Sequence, residues 1–391
     1  MSSTNRLLSG GFVALSVIEF LAFCNIAVFF PFYSYLRTLP IAPKWLGLLI
    51  GAYAFSAMVV RPFISPVIHS GNARTWMFFS SIGFIAALPA YSLAHDFWSM
   101  LAVRILHGAF HAGLVSAMLA MVVTFIPKER SGQAFGLLSV NTLLPYALIP
   151  PVIVPLERAF GGFEHVLTAG AVVMLMNFPL LYLVKQNDTD ANRNTGSDRG
   201  VSMKELLLDL RHPRVTALLV MTLLLYTAFT PVFFFIKGFG HQLGIGNPGL
   251  FFTVATLTMI ALRVCAGSLF DTGSKVHLTV GALIWMSVGY IWLGFLTKPT
   301  SFYLCAFFLG IGWGVGMPVL NAMIFDCSEK RFRGLNINLS QEALQAGFLL
   351  GPIIGGWLVS GYNYRTLFVA CAILTLIALA FLSLSSIRKE I

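Results

Sequence analysis

The sequence predicts an all-α integral membrane protein, with twelve transmembrane helices in two six-helix bundles related by pseudo-two-fold symmetry. Three observations lead there: a composition too apolar for a soluble fold, a succession of membrane-length apolar runs, and a constant internal offset. Of 391 residues, 57% are hydrophobic and 10% charged, and 35 are Phe. Ordinary soluble domains carry about 25% charged residues, and a soluble fold of this size could not keep so many Phe inside and still cover its surface. The mean hydropathy is +0.83. The runs are long enough to cross as helices, which excludes a β-barrel.

Taken in order, the apolar runs fall at 12–36, 45–68, 75–95, 97–126, 132–156, 164–184, 214–237, 248–270, 276–297, 299–326, 334–360 and 364–386. Each approaches or exceeds the roughly 20 residues a helix needs to span a bilayer. The gaps are short except one. Lys185 to Pro213 is polar, with six charged residues between Asp188 and Lys204. It reads as a flexible linker ending in a short amphipathic piece, Met203 to Leu210. The expected organisation is therefore an N-terminal bundle at 1–184, a cytoplasmic linker at 185–213 and a C-terminal bundle at 214–391.

The net charge of +10 does not point to nucleic acid, because the basic residues punctuate apolar runs and do not gather on one face. The five cysteines are scattered, without a CxxC pair, and no disulfide is expected. The first apolar run is too long for a cleavable signal peptide and is expected to stay as a signal anchor. With the N-terminus inside, outer loops hold six basic residues: Arg37, Lys44, Arg158, Lys237, Lys298 and Arg365. Arg104 lies within a span, and the other 18 of the 25 are internal. That bias places both termini and the linker in the cytoplasm.

The two halves repeat at an offset of 202 residues. Arg61 maps onto Arg263, Gly108 onto Gly310, Lys128 onto Lys330, Gly132 onto Gly334 and Pro150 onto Pro352. Five pairs at one ungapped offset across four helices indicate duplication.

Local motifs then extend the pattern. Gly267-Ser-Leu269-Phe-Asp271 is preceded by Arg263 and followed by Lys275, and the matching stretch of the first half has Ser65 and His69 where Gly and Asp would stand. Arg104-Ile-Leu-His107-Gly108 lies in the fourth span, and Gly351-Pro352-Ile-Ile-Gly355-Gly356 in the eleventh. In these features the full length of the chain resembles the major facilitator superfamily, closest to its drug/proton antiporter and arabinose-efflux-permease-like branches. The fifth-span form of the glycine–proline motif is absent; Pro145, Pro150 and Pro151 occupy the region. The resemblance implies a conformational lock at Arg61, Arg263, Gly267, Asp271 and Lys275, read otherwise as a solvated turn obeying the positive-inside rule.

Glu19 is the foremost candidate for proton coupling. A carboxylate within a membrane helix costs about 2.5–3.5 kcal/mol even on insertion scales, so it rarely persists without a partner or a role. Arg104, His107 and His111 follow an i, i+3, i+7 pattern that sets them on one helix face. Counted along the helices, His111 lies near the midplane and Glu19 roughly 8 Å below it, which favours His111 as partner of Glu19. These side chains could also be packing groups. A metal shared by His107 and His111 lacks a third ligand in another helix.

Candidate substrate contacts are Arg104, Asn25, Phe29, Tyr33, Asn141, Tyr226, Phe233, Gln341 and Gln345. The aromatic ones make either a ligand wall or an interfacial belt with core packing. Asp326 is expected to pair locally with Lys330 or Arg331.

No ATP-binding loop, nucleophile elbow or HExxH occurs, so no enzyme activity and no cofactor are expected. The leading expectation is a secondary transporter of a bacterial inner membrane. It would be a monomer, exporting a lipophilic or cationic small organic compound in exchange for protons by alternating access. Uptake of a small organic acid or metal chelate is the alternative within transport. A transporter-like sensor or assembly factor is the alternative outside it.

Overall fold

The computed structural model describes residues 9–126, 131–184, 213–265, 273–329 and 332–384, and every regular element among them is helical. In chain order the helices are α1 (Gly10–Ala27), α2 (Phe32–Leu36), α3 (Pro43–Ile64), α4 (Ala73–Ala90), α5 (Phe97–Val122), α6 (Ser131–Phe160), α7 (Phe163–Met174) and α8 (Asn177–Leu183). The second half holds α9 (Pro213–Gln242), α10 (Leu250–Cys265), α11 (Lys275–Gly294), α12 (Pro299–Cys327), α13 (Arg333–Gly361) and α14 (Tyr364–Leu384). Eleven spans among the described residues are long and apolar enough to cross a membrane, some of them made of two consecutive helical pieces. The eighth run, expected over 248–270, appears as a turn at 248–249 and the 16-residue α10, and 266–270 lie outside the described residues.

Two runs read as single spans are broken, each beside a proline. The first divides between α1 and α2 because Pro31 has no N–H for the helical ladder and its ring clashes with the carbonyl one turn back. The chain there tightens, with Phe29 N–H bonded to Ile26 O at 3.2 Å and Phe30 N–H to Ala27 O at 3.1 Å. The sixth divides between α7 and α8 just ahead of Pro179. There Leu175 and Met176 donate three residues back, to Val172 and Val173, both at 3.2 Å.

The chain forms two compact units. The first comprises the described parts of Met1–Pro31, Thr38–Ile41 and Ala52–Ser197. The second comprises those of Phe32–Arg37, Ala42–Gly51 and Asp198–Ile391, so two short pieces of the first six spans pack with the second six. In the first unit α1 packs along α6 and α4 along α5; in the second α9 packs along α13 and α14, and α10 along α12.

The 202-residue offset reappears inside each unit as one contact. A methyl group on Gly108 would run into the carbonyl oxygen of Tyr53 and lie 3.1 Å from Ser56 Cβ. On Gly310 it would lie 2.6 Å from the carbonyl oxygen of Ala255 and 3.0 Å from Thr258 Cβ. Tyr53 and Ala255, and Ser56 and Thr258, are themselves 202 apart, so equivalent helices cross at equivalent atoms. Small residues of this kind allow backbones in a membrane to approach closely.

The start of α5 is set by Asp96. Its carboxylate accepts from the backbone N–H groups of Trp98 at 2.8 Å and Ser99 at 3.2 Å, satisfying donors that a helix start leaves open. The Ser99 hydroxyl foremost, then these backbone donors, hold the exposed Asp96 carboxyl below its ordinary value of 3.8.

Two outcomes are expected in detergent melting experiments. Gly108→Ala and Gly310→Ala each lower Tm by an amount corresponding to about 1–3 kcal/mol of overpacking, while Gly136→Ala, which meets nothing within 4 Å, leaves it unchanged. Equal shifts from all three would remove the close-crossing explanation. For Asp96, a depressed folded value means a stabilising contribution present above the ordinary value and lost as pH falls through the folded one. The Tm gap between wild type and Asp96→Ala is therefore open at neutral pH and closes below about 3.8. A gap that widens on acidification would reverse the sign.

Candidate functional site

Two polar constellations lie inside the first unit. The first joins α1 to α6. Glu19 is 6% exposed, and its Oε2 accepts from the Asn141 side-chain amide at 2.8 Å. The same Asn141 nitrogen donates to the backbone oxygen of Ser16, also at 2.8 Å, one turn before Glu19 on α1. Beside this junction runs a cavity of about 330 Å³ between the two helices. Phe12, Val17 and Phe20 line it from α1, and Leu137, Leu144 and Asn141 from α6.

The second constellation is built on α5. Arg104, His107 and His111 are 3%, 0% and 4% exposed, so the face read from the i, i+3, i+7 spacing is the buried one. Arg104 Nη1 donates to the Tyr91 hydroxyl oxygen at 3.3 Å. The same hydroxyl is hydrogen-bonded to His107 Nδ1 at 3.1 Å, with the tautomer of His107 setting which of the two donates. The Arg104 guanidinium also lies over the rings of Tyr53, at 4.9 Å, and Phe29, at 5.2 Å. His111 is held between Tyr53 and Phe84, ring centroids 5.3 and 5.7 Å away.

This geometry corrects one expected pairing. Glu19 and His111 do not hydrogen-bond: Asn141 holds the carboxylate, and both ring nitrogens of His111 are buried without a hydrogen-bond partner. Depth along a helix had favoured His111, but depth says nothing of rotation about the axis. Tyr53 and Tyr91 were missed. Their signal was a phenol inside an apolar span, where a buried hydroxyl usually needs a partner. Tyr91 has one; the Tyr53 hydroxyl has none.

The other candidate contacts are dispersed. Asn25 is buried, its amide against Met174 Sδ at 3.1 Å. Phe29 packs among Tyr91, His107 and Phe163. In the second unit Tyr33 packs tilted against Phe235, ring centroids 4.3 Å apart, and Phe233 is fully enclosed against Phe234 and Phe252. Tyr226 meets Phe229 and Phe348. On α13, Gln345 is buried and Gln341 half-buried. Phe29 and Phe233 are thus both buried among other aromatic side chains.

The sequence profile described as the Major Facilitator Superfamily matches residues 15–335 and 248–390. The chain belongs to this superfamily. Its members are transporters, not enzymes, and the superfamily assignment makes the chain a multi-pass membrane protein. Among curated relatives it is 22% identical over 355 residues to the multidrug resistance protein MdtG of Escherichia fergusonii, covering 88% of this chain and 85% of that one. To the MdtG of Salmonella schwarzengrund it is 23% identical over 354 residues, covering 88% and 86%. Solved structures share the fold. A bacterial homolog of the human lysosomal transporter Spinster gives a TM-score of 0.79 at 14% identity, covering 98% of this chain and 97% of that one. The nucleoside transporter NupG gives 0.78 at 12%, covering 95% and 98%.

Of this superfamily member's expected lock, Gly267 and Asp271 lie outside the described residues. Arg61 and Arg263 close the last turns of α3 and α10. Lys275 pairs with Asp326 of α12. The local partners expected for Asp326, Lys330 and Arg331, lie outside the described residues. The eleventh-span motif has a packing reason: Gly351 lies close against Thr227 and Thr230 of α9, and Gly356 against Gly47.

Removing the Tyr91 hydroxyl leaves His107 Nδ1 without its partner, at a cost of about 1–3 kcal/mol for a buried polar atom. Tyr91→Phe is therefore expected to lower Tm in detergent, whereas Tyr53→Phe, which removes an unpartnered hydroxyl, keeps or raises it. The opposite order would show that the Arg104–Tyr91–His107 chain contributes nothing.

Proposed function

We propose that this transporter is a proton-coupled exporter of a lipophilic or cationic small organic compound, working by alternating access, with Glu19 as the proton carrier. The observation behind the proposal is the setting of Glu19: a buried carboxyl whose hydrogen bond comes from a neutral amide, on the helix pair that also walls an apolar cavity. With no ion pair to fix its charge, the carboxyl can gain and lose a proton without breaking a salt bridge. The relatives named as multidrug resistance proteins support the export direction. We place the protein in a bacterial inner membrane as a monomer with both termini cytoplasmic, in keeping with the basic residues of its loops. Arg61, Arg263, Gly267, Asp271 and Lys275 would bias one conformation over the other.

A second reading rests on a separate observation. Arg104, His107 and His111 form a buried cationic and hydrogen-bonding face, which suits a small organic anion. One experiment separates the two. Purified protein in proteoliposomes under an imposed pH gradient is offered lipophilic amines and small carboxylates in parallel. Uphill amine movement against an inward proton flow supports export. Glu19→Gln is expected to abolish that uphill movement while downhill exchange persists. Unchanged accumulation and pH dependence in Glu19→Gln would remove Glu19 from the cycle, and carboxylate transport sensitive to Arg104 would favour the second reading. Transport of neither class would favour a sensor or assembly role.

A further inference from the structure

The cavity between α1 and α6 has one polar group whose chemistry its neighbours fix. An amide nitrogen has two hydrogens, and those of Asn141 go to Glu19 Oε2 and Ser16 O. Turned over, the amide would set its oxygen 2.8 Å from the Ser16 carbonyl oxygen, an acceptor in either protonation state of Glu19. The orientation is therefore determined, and the group left to face the cavity is the carbonyl oxygen, Oδ1, to which no described residue donates. Ser16, the other polar residue of the lining, has directed its hydroxyl proton to Phe12 O at 2.9 Å. The cavity is thus an apolar slot whose polar groups accept hydrogen bonds and do not donate them.

We propose that this slot binds a lipophilic ammonium compound carrying at least one N–H, that the N–H donates to Asn141 Oδ1, and that Asn141 relays binding to Glu19. The inference rests on Glu19 as proton carrier and adds the residue that selects the ligand. A volume of about 330 Å³ lies at the small end of ligand pockets, roughly 300–1,000 Å³. Phe12 and Phe20 offer aromatic faces to a cation, Val17, Leu137 and Leu144 take the apolar body, and the carboxylate beyond the amide supplies the complementary charge.

The relay follows from hydrogen-bond cooperativity. A donor on Oδ1 polarises the amide and strengthens the bonds made by its N–H groups. The carboxylate of Glu19 gains more from that than the carboxylic acid does. Ligand and proton therefore oppose one another at Glu19, each by the same factor, and one proton passes from Glu19 to water as the ammonium docks. Other titratable groups on the helices packed against α1 do not intervene. Arg104, His107 and His111 of α5 are engaged with or enclosed by Tyr53, Tyr91 and Phe84. Tyr146, Glu157 and Arg158 of α6 and the exposed Tyr182 of α8 make no hydrogen bond or ion pair with Glu19.

The test uses two probes of equal charge, octyldimethylammonium, with one N–H, and octyltrimethylammonium, with none. Binding to the full chain in nanodiscs is followed by calorimetry, and proton release by a pH dye in weak buffer near neutrality. The N–H probe is expected to bind at least about tenfold more tightly, since hydrogen bonds to charged groups contribute about 1.5–3 kcal/mol. It also releases more proton than octyltrimethylammonium, whose charge alone favours the Glu19 carboxylate. Asn141→Leu is expected to erase both differences, while octyltrimethylammonium binding that remains measurable shows that the variant is folded. Leu144→Trp, which fills the slot and leaves the Asn141–Glu19 bond in place, is expected to weaken both probes. Equal affinities in the wild-type protein, or a preference that survives Asn141→Leu, would overturn the site; a bilayer acyl chain in the slot would give that result. Asn141-dependent preference without proton release would overturn the relay. Whether Glu19 carries the transported proton is read separately, from uphill transport in Glu19→Gln.

Discussion

Little water reaches the interior of a membrane helix bundle, so a polar side chain placed there is costly unless another part of the chain meets it. The first unit is arranged around that constraint. Asn141 meets Glu19 and ties α6 to α1 through a single amide. The Tyr91 hydroxyl meets Arg104 and His107 together and ties the end of α4 to α5. What lies around these junctions is aromatic, which lets a cation be buried against ring faces without a carboxylate at its side.

The duplication sharpens the point, because at the equivalent positions the second unit keeps the packing and drops the polarity. At the same offset Glu19 corresponds to Met221, Asn141 to Ala343, Arg104 to Ala306, His107 to Leu309 and His111 to Trp313. Trp313 is fully buried and its indole N–H goes to the Tyr290 hydroxyl at 2.9 Å, with Phe229 and Phe252 against it. The crossing of equivalent helices survives at Gly108 and Gly310. Conversely, the Lys275–Asp326 pair of the second unit has Ala73 and Thr124 at the corresponding places of the first. At these positions a titratable or polar side chain of one half stands where the other has an apolar one, and each half carries its own set: Lys237, Arg263 and Glu342 lie in helices of the second.

Much of this was legible in the sequence because a bilayer imposes lengths. Span positions and the offset follow from runs of apolar residues and a few fixed glycines and prolines; the linker expected at 185–213 lies, but for Pro213, outside the described residues. The buried face of α5 followed from the spacing of Arg104, His107 and His111. What could not be read is rotation. Asn141 and His111 were both polar residues in first-half spans, and only the azimuth of α6 and α5 about their axes decides which one reaches Glu19. Nor does the sequence show which helices will be neighbours: Asp326 finds Lys275, 51 residues away, because α11 and α12 run side by side. The breaks beside Pro31 and Pro179 were visible as residues but not as breaks, since a proline in a membrane helix is often tolerated.

The prolines of α6 give the Asn141 junction its mechanical setting. Pro145, Pro150, Pro151 and Pro155 all lie inside this helix, and each removes one rung of the backbone ladder. The first to be lost is the bond that residue 145 would have donated to the backbone carbonyl of Asn141. Softness in α6 therefore begins one turn beyond the residue that pins it to α1. The turns before Asn141 keep their ladder and are held at its side chain by two hydrogen bonds; the turns after it have four places to bend. Any flexing of α6 falls on its later part, and the amide that holds Glu19 stays fixed to the helix that bears Glu19. A relay that depends on one amide keeping its orientation needs such a division between a pinned segment and a yielding one.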